Sequence, residues 1–129
     1  MRPASGEVVW FIANAIDAAM FSALLEAFAR EIGAGPDKYV ILVLDGAGSH
    51  VAKDLEIPDG LELMFLPAYS PELQPAEHLW PLTDEALANV HFETLEDLQE
   101  ILSERCCILA DDPDQISANT LFEWWPRYN

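Results

Sequence analysis

The feature that most limits this chain is an unbroken apolar run that stops on an acid. Residues 39–44 read YVILVL and end abruptly at Asp45-Gly46. Strict alternation would mark a strand with one wet face. A continuous β-branched run instead fits a central strand buried on both faces, as in an α/β sheet. Two further runs read as strands, 8–13 (VVWFIA) and 61–66 (LELMFL). Between the first two lies an amphipathic segment in which Phe21, Leu24, Leu25, Phe28 and Ile32 recur at helical spacing. Asn14 or Asp17 can cap its start and Gly33 can end it. Strands alternating with helices predict an α/β fold with parallel pairing, and helix 21–32 should cover one sheet face.

Downstream, residues 67–75 form a Pro-rich turn. Pro75 suits the first turn of a helix, where its missing N–H costs nothing, and this puts Glu77 in that turn as well. Pro81 would clash with the carbonyl of Glu77, so a kink or break is expected there, with Thr83 restarting a helix toward Asn89. Thr94 should cap another helix, with Asp97 three residues on and a core stripe of Leu95, Leu98, Ile101, Leu102 and Cys106. The aromatic tail, 121–125, should pack back on the body, and residues 1–6 read as a loose end.

Composition narrows the class. A length of 129 residues with 51% hydrophobic content is that of one globular domain. No apolar run approaches the roughly 20 residues that span a bilayer. Residues 8–12 are too short, with the wrong flanks, for a signal peptide, so a cytoplasmic protein without membrane contact is expected. Cys106 and Cys107 are adjacent, which disfavours a disulfide between them, and both read as reduced. Six Lys and Arg face 23 Asp and Glu, a net charge of −17. Proteins that hold DNA draw most of their affinity from cations on phosphates, and a uniformly acidic surface opposes that. A high-salt cytoplasm, where charge is screened, is one setting that tolerates such acidity.

Two carboxylates stand where chemistry is possible. Asp45 lies at the carboxyl end of the most apolar strand, the edge where open α/β sheets bind ligands. Glu77 opens the element after the next strand. Together they could share a hard cation such as Mg²⁺, which takes one or two carboxylates plus phosphate oxygens. A pair of such ions about 4 Å apart activates a nucleophile and stabilises a leaving oxygen. The plain alternative is a solvated Asp after a strand and a Glu that favours a helix dipole.

Local sequence adds to this. ILVLDGAGSH, from Ile41 to His50, resembles the second-acid motif of the mariner-type DDE transposases in their bacterial insertion-sequence branch. LPAYSPELQPAEHLW, from Leu66 to Trp80, is similar to that family's third-acid motif. Leu66, Pro67, Tyr69, Ser70, Pro71, Leu73, Pro75, Glu77 and Trp80 match it position by position. Asp45 and Glu77 stand 32 positions apart, slightly closer than is usual in the family.

The resemblance implies a ribonuclease H-like, retroviral integrase-type fold, a mixed sheet with flanking helices. It makes Asp45 the second and Glu77 the third catalytic, metal-binding acid, with Mg²⁺ or Mn²⁺ as the ion. His50 falls where the motif has its His, as a structural group or a contact to DNA. The complete family cleaves and joins transposon-end DNA in transposition.

Departures from the pattern set further expectations. The family's first catalytic Asp sits on a strand upstream of any residue here, and its N-terminal DNA-binding domain is absent too. Residues 1–129 then read as a partial domain that does not cut DNA alone. Gly46, Ala68 and Gln74 replace the usual Asn, Pro and Asn. From Pro81 onward 11 acids face two basic residues, Arg105 and Arg127, where the family carries basic residues toward DNA. Binding to transposon ends should be weak or absent. The alternative reading is a non-enzymatic acidic interaction protein that keeps the transposase scaffold. Tyr69 and Trp80 read as packing residues and Ser70 as a turn residue. With its neighbouring strands missing, the apolar strand needs a partner chain or a second copy to supply them.

Overall fold

The computed structural model describes residues 1–13, 15–46 and 53–125. They form two compact units. Ala13–Gln74 is continuous in sequence, whereas the other unit joins Met1–Ile12 to Pro75–Asn129.

The continuous unit is built from one helix and one strand pair. Helix α1, Ala18–Ile32, begins where the Asp17 carboxylate accepts from the Met20 N–H at 2.8 Å. It ends at Gly33, whose φ of 72° is the left-handed turn that glycine adopts without penalty. Phe21, Leu25 and Ala29 recur every fourth residue and are buried. Strands β1, Val40–Leu44, and β2, Leu61–Phe65, pair in parallel with Val40 opposite Leu61 and Leu44 opposite Phe65. Phe21, Leu25 and Leu61 form the core, joined by Phe28, Val40, Leu42, Leu44, Leu55 and Leu63. Each fully buried side chain of this kind contributes about 1.5–3 kcal/mol.

The sheet departs from expectation in two ways. Among the described residues it has two parallel strands only, so a mixed sheet is not formed and β1 is not central. Nor is β1 buried on both faces. Val40, Leu42 and Leu44 join the core, but Ile41 on the opposite face is 55% exposed. An apolar run reports that a strand can be covered, not that this chain supplies the cover.

Residues 8–13 were expected to form a strand and do not. A strand exists only within a ladder, and no described strand lies beside this segment. Instead Val8 and Trp10 pack on the core of the discontinuous unit, which consists of Leu79, Leu82, Leu109 and Ile116.

That unit is helical. A 3-10 turn, Pro75–His78, precedes helix α2, Trp80–Asp84, which holds Pro81 in its first turn. The break expected near Pro81 is therefore present, but Thr83 restarts nothing. It lies inside α2, buried, with its hydroxyl donating to the Trp80 carbonyl at 2.8 Å. Helix α3, Leu95–Ala110, is capped by Thr94, whose hydroxyl oxygen accepts from the Asp97 N–H at 3.1 Å. Its stripe follows the expected residues from Leu98, Ile101 and Leu102, half-buried, to buried Cys106, but Leu95 is exposed and Leu109 is buried one turn beyond. Helix α4, Pro113–Thr120, capped by Asp112, brings Ile116 and Thr120 into the interior. Among the described residues no helix is long and apolar enough to cross a membrane.

Candidate active-site carboxylates

Asp45 is the residue after β1, at the carboxyl end of a strand that pairs in parallel, and it is exposed. The ladder carries on to this edge, because the Leu66 N–H donates to the Leu44 carbonyl at 2.8 Å. The peptide preceding Asp45 is thereby fixed, so the carboxylate starts from a stiff base. This is the placement the sequence predicted.

Glu77 lies in the 3-10 turn Pro75–His78 and is exposed. Pro75 is buried beneath it, and the Leu79 N–H closes the turn on the Ala76 carbonyl at 2.9 Å. His78 turns its ring edge-on to Phe122 with centroids 4.9 Å apart and planes at 78°. The aromatic tail thus packs on the turn that carries Glu77. Only the aromatic composition of 121–125 hinted at this contact.

The segment from Leu66 to Trp80 is divided between the two units, with Gln74 ending one and Pro75 opening the other. Asp45 accordingly belongs to the continuous unit and Glu77 to the discontinuous one. His50 lies outside the described residues, as does Asn14. Trp80 is in part the packing residue expected, its ring meeting Trp10 at 6.5 Å between centroids while 47% stays exposed. Tyr69 is not a packing residue. It is fully exposed, and its φ of 56° puts a bulky side chain in the left-handed region. Ser70 behaves as a turn residue, its hydroxyl donating to the Ala68 carbonyl at 3.2 Å.

Over residues 1–128 the sequence matches the profile of the DDE superfamily endonucleases. The chain belongs to that family. It is also 39% identical over 104 residues to an uncharacterized protein, y4pE/y4sA, of Sinorhizobium fredii, a match covering 75% of this chain and 74% of that protein. No solved structure matches it.

DDE endonucleases normally use divalent metals. Asp45 and Glu77 offer hard carboxylate oxygens, the donors such ions take. The donor chemistry therefore fits. Among the described residues, however, no group of three or more His, Cys, Asp or Glu side chains is gathered closely enough to hold an ion.

Proposed function

We propose that this chain is the C-terminal portion of a mariner-type DDE transposase catalytic domain, built on a ribonuclease H-like scaffold and inactive alone. The observation that carries the reading is Asp45, a carboxylate at the carboxyl end of a parallel strand in a member of the DDE endonuclease family. The nine matched positions around Glu77 support the mariner-type assignment.

In this reading Asp45 and Glu77 are the second and third acids and hold Mg²⁺ or Mn²⁺ jointly. When bound, the ion activates the attacking oxygen and neutralises the leaving oxygen at a phosphodiester. Asp45 contributes a ligand from a strand end, and Glu77 one from a proline-started turn. The first acid comes from another polypeptide segment. A second copy or a partner chain also supplies strands beside β1. Transposon-end DNA is the substrate of the assembled enzyme, and this acidic portion by itself holds it weakly or not at all.

A second reading, a non-enzymatic acidic interaction protein on the same scaffold, is favoured by one observation. From Pro81 onward 11 acids face two arginines.

Plasmid nicking and Mn²⁺ calorimetry test both. The purified chain should leave supercoiled DNA intact with Mg²⁺ or Mn²⁺, and it should bind Mn²⁺ through Asp45 and Glu77. Robust cleavage abolished by Asp45→Ala would show that the chain already holds all its acids. Mn²⁺ affinity unchanged by both Asp45→Asn and Glu77→Gln would leave the second reading standing. Light scattering at low concentration addresses the assembly: a monomer with slow amide exchange throughout residues 39–44 would rule out missing strands.

A further inference from the structure

We propose that Tyr69 stacks on an unpaired base of the DNA strand bound at the Asp45 edge of the β1–β2 pair, a role that rests on the chain being part of a DNA-cutting transposase. Two observations set this residue apart. Its φ of 56° lies in the left-handed region, where a bulky side chain costs energy that glycine would not. Its ring is 101% exposed, so no burial offsets that cost. A conformation of this kind persists only where its surroundings impose it, and such outliers gather at sites of function. Here the surroundings do impose it. Pro67 and Pro71 fix their own φ angles on either side. The Ser70 hydroxyl donates to the Ala68 carbonyl at 3.2 Å, and the Ser70 carbonyl accepts from the Leu73 N–H at 3.1 Å. The ring is thus held outward on a stiff loop.

Position and size identify the occupant. Leu66, three residues before Tyr69, is tied by its N–H to the carbonyl of Leu44, the residue before Asp45. Three residues reach at most about 10 Å, so the Tyr69 backbone stays at the edge that carries the Asp45 carboxylate. That is the edge where open α/β sheets bind ligands. A single ring is too small an area for a stable protein contact, but it matches one base, whose π-face is open at unpaired positions and strand ends. Stacking itself requires no cation, a scarce group in a chain of net charge −17.

The test titrates the full chain, labelled with fluorotyrosine, with a single-stranded trinucleotide carrying iododeoxyuridine, in low salt with Mg²⁺. The Tyr69 fluorine resonance should move while that of Tyr39 stays, and ultraviolet crosslinking should mark the peptide that contains Tyr69. Tyr69→Phe should keep the affinity, and Tyr69→Ala should lower it about fivefold or more. Tyr69→Ala should melt with the wild type, since the ring packs on nothing, and Tyr69→Gly should melt above Tyr69→Ala, since glycine suits that φ. Affinity unchanged by Tyr69→Ala, crosslinks elsewhere only, or no binding at millimolar probe would overturn the proposal. A lower melting temperature for Tyr69→Ala would do so too, because the ring would then pack within the chain. Fluorine shifts on concentrating the chain without probe would give the ring to a second copy and overturn it as well. Mn²⁺ calorimetry separates this contact from the metal site. Metal binding lost in Asp45→Asn, with base binding indifferent to Tyr69→Ala, would sink the stacking role and leave the site. Base binding through Tyr69, with Mn²⁺ affinity unchanged by Asp45→Asn and Glu77→Gln, would sink the site and leave the stacking role.

Discussion

Arg105 of α3 reaches Leu82 of α2, its Nε–H donating to the leucine carbonyl at 2.8 Å. The same guanidinium meets the Glu85 carboxylate at 3.0 Å, and only 18% of the arginine side chain is exposed. One side chain therefore satisfies a carbonyl that α2 cannot use itself and ties two helices together. Arg105→Met keeps the aliphatic stem but removes the donors, and should cost about 1–3 kcal/mol. Glu85→Gln loses only an exposed charge and should stay within about 0.5 kcal/mol. All four tryptophans, Trp10, Trp80, Trp124 and Trp125, lie in the discontinuous unit, so indole fluorescence during urea unfolding reads this effect directly. Equal midpoints for Arg105→Met and the wild type would refute it.

Gly60, just before β2, has a φ of +81°, and a Cβ there would fall 2.3 Å from the backbone nitrogen of Gly35. Gly33 has a similar φ of +72° but open space around it. Gly33→Ala should cost roughly 1–2 kcal/mol through conformation alone. Gly60→Ala adds a backbone collision on top and should cost more. Both changes fall in the unit without tryptophan, so far-ultraviolet dichroism is the appropriate readout. If the two variants melt alike, the close approach of Gly60 to Gly35 is wrong.

Tyr39 gives a pH signature. The Glu62 carboxylate accepts its hydroxyl hydrogen and holds the phenol above its ordinary value of about 10, with smaller contributions from desolvation and the Glu62 charge. The folded state therefore keeps this proton more tightly than the unfolded state. The resulting stability is complete below pH about 10 and is lost as pH rises through the raised folded value. Tyrosinate absorbance, with Tyr39→Phe as the subtraction, should show a late titration that Glu62→Gln moves back toward 10. A wild-type midpoint at the ordinary value would remove the pairing.

The adjacent thiols should behave differently. Cys107 is exposed, whereas Cys106 is buried, and burial, then the neighbouring Cys107, pushes its thiol up. Since the thiolate is the reactive form, a brief maleimide pulse near neutral pH should add one label to the folded chain. Denaturant should raise that to two, countable by mass spectrometry. Two labels on the folded chain would place Cys106 outside the core.

Local signals in the sequence were the most dependable. Asp17, Gly33 and Thr94 act through hydrogen bonds to neighbours within a few residues, and each capped its helix as expected. β1 and β2 were legible from their apolar runs, although each pairs with a segment remote in sequence, and so was Asp45 at the end of β1. Other contacts with segments remote in sequence were not. Residues 8–13 carry strand composition, but composition cannot supply a neighbouring strand, and Val8 and Trp10 went to a helical core instead. Leu109 belongs to the stripe of α3 but lies one turn beyond Cys106, close to the end of the helix. α4 is polar enough to hide its two inward residues, although Asp112 followed by Pro113 is a helix-start signal that could have revealed it. Tyr69 matches a motif position, yet nothing in the motif tells that its backbone turns left-handed and exposes the ring.

The interrupted unit has a consequence for the order in which the chain can fold during synthesis. Ala13–Gln74 holds every residue of its own core as soon as it has left the ribosome. Val8 and Trp10 emerge before it, but the Leu109 and Ile116 they pack with come about a hundred residues later. At roughly 5–20 residues per second, that leaves an apolar segment waiting for some 5–20 s. During that interval the apolar segment around Val8 and Trp10 stays uncovered and open to chaperones, and it is buried only when α3 and α4 arrive.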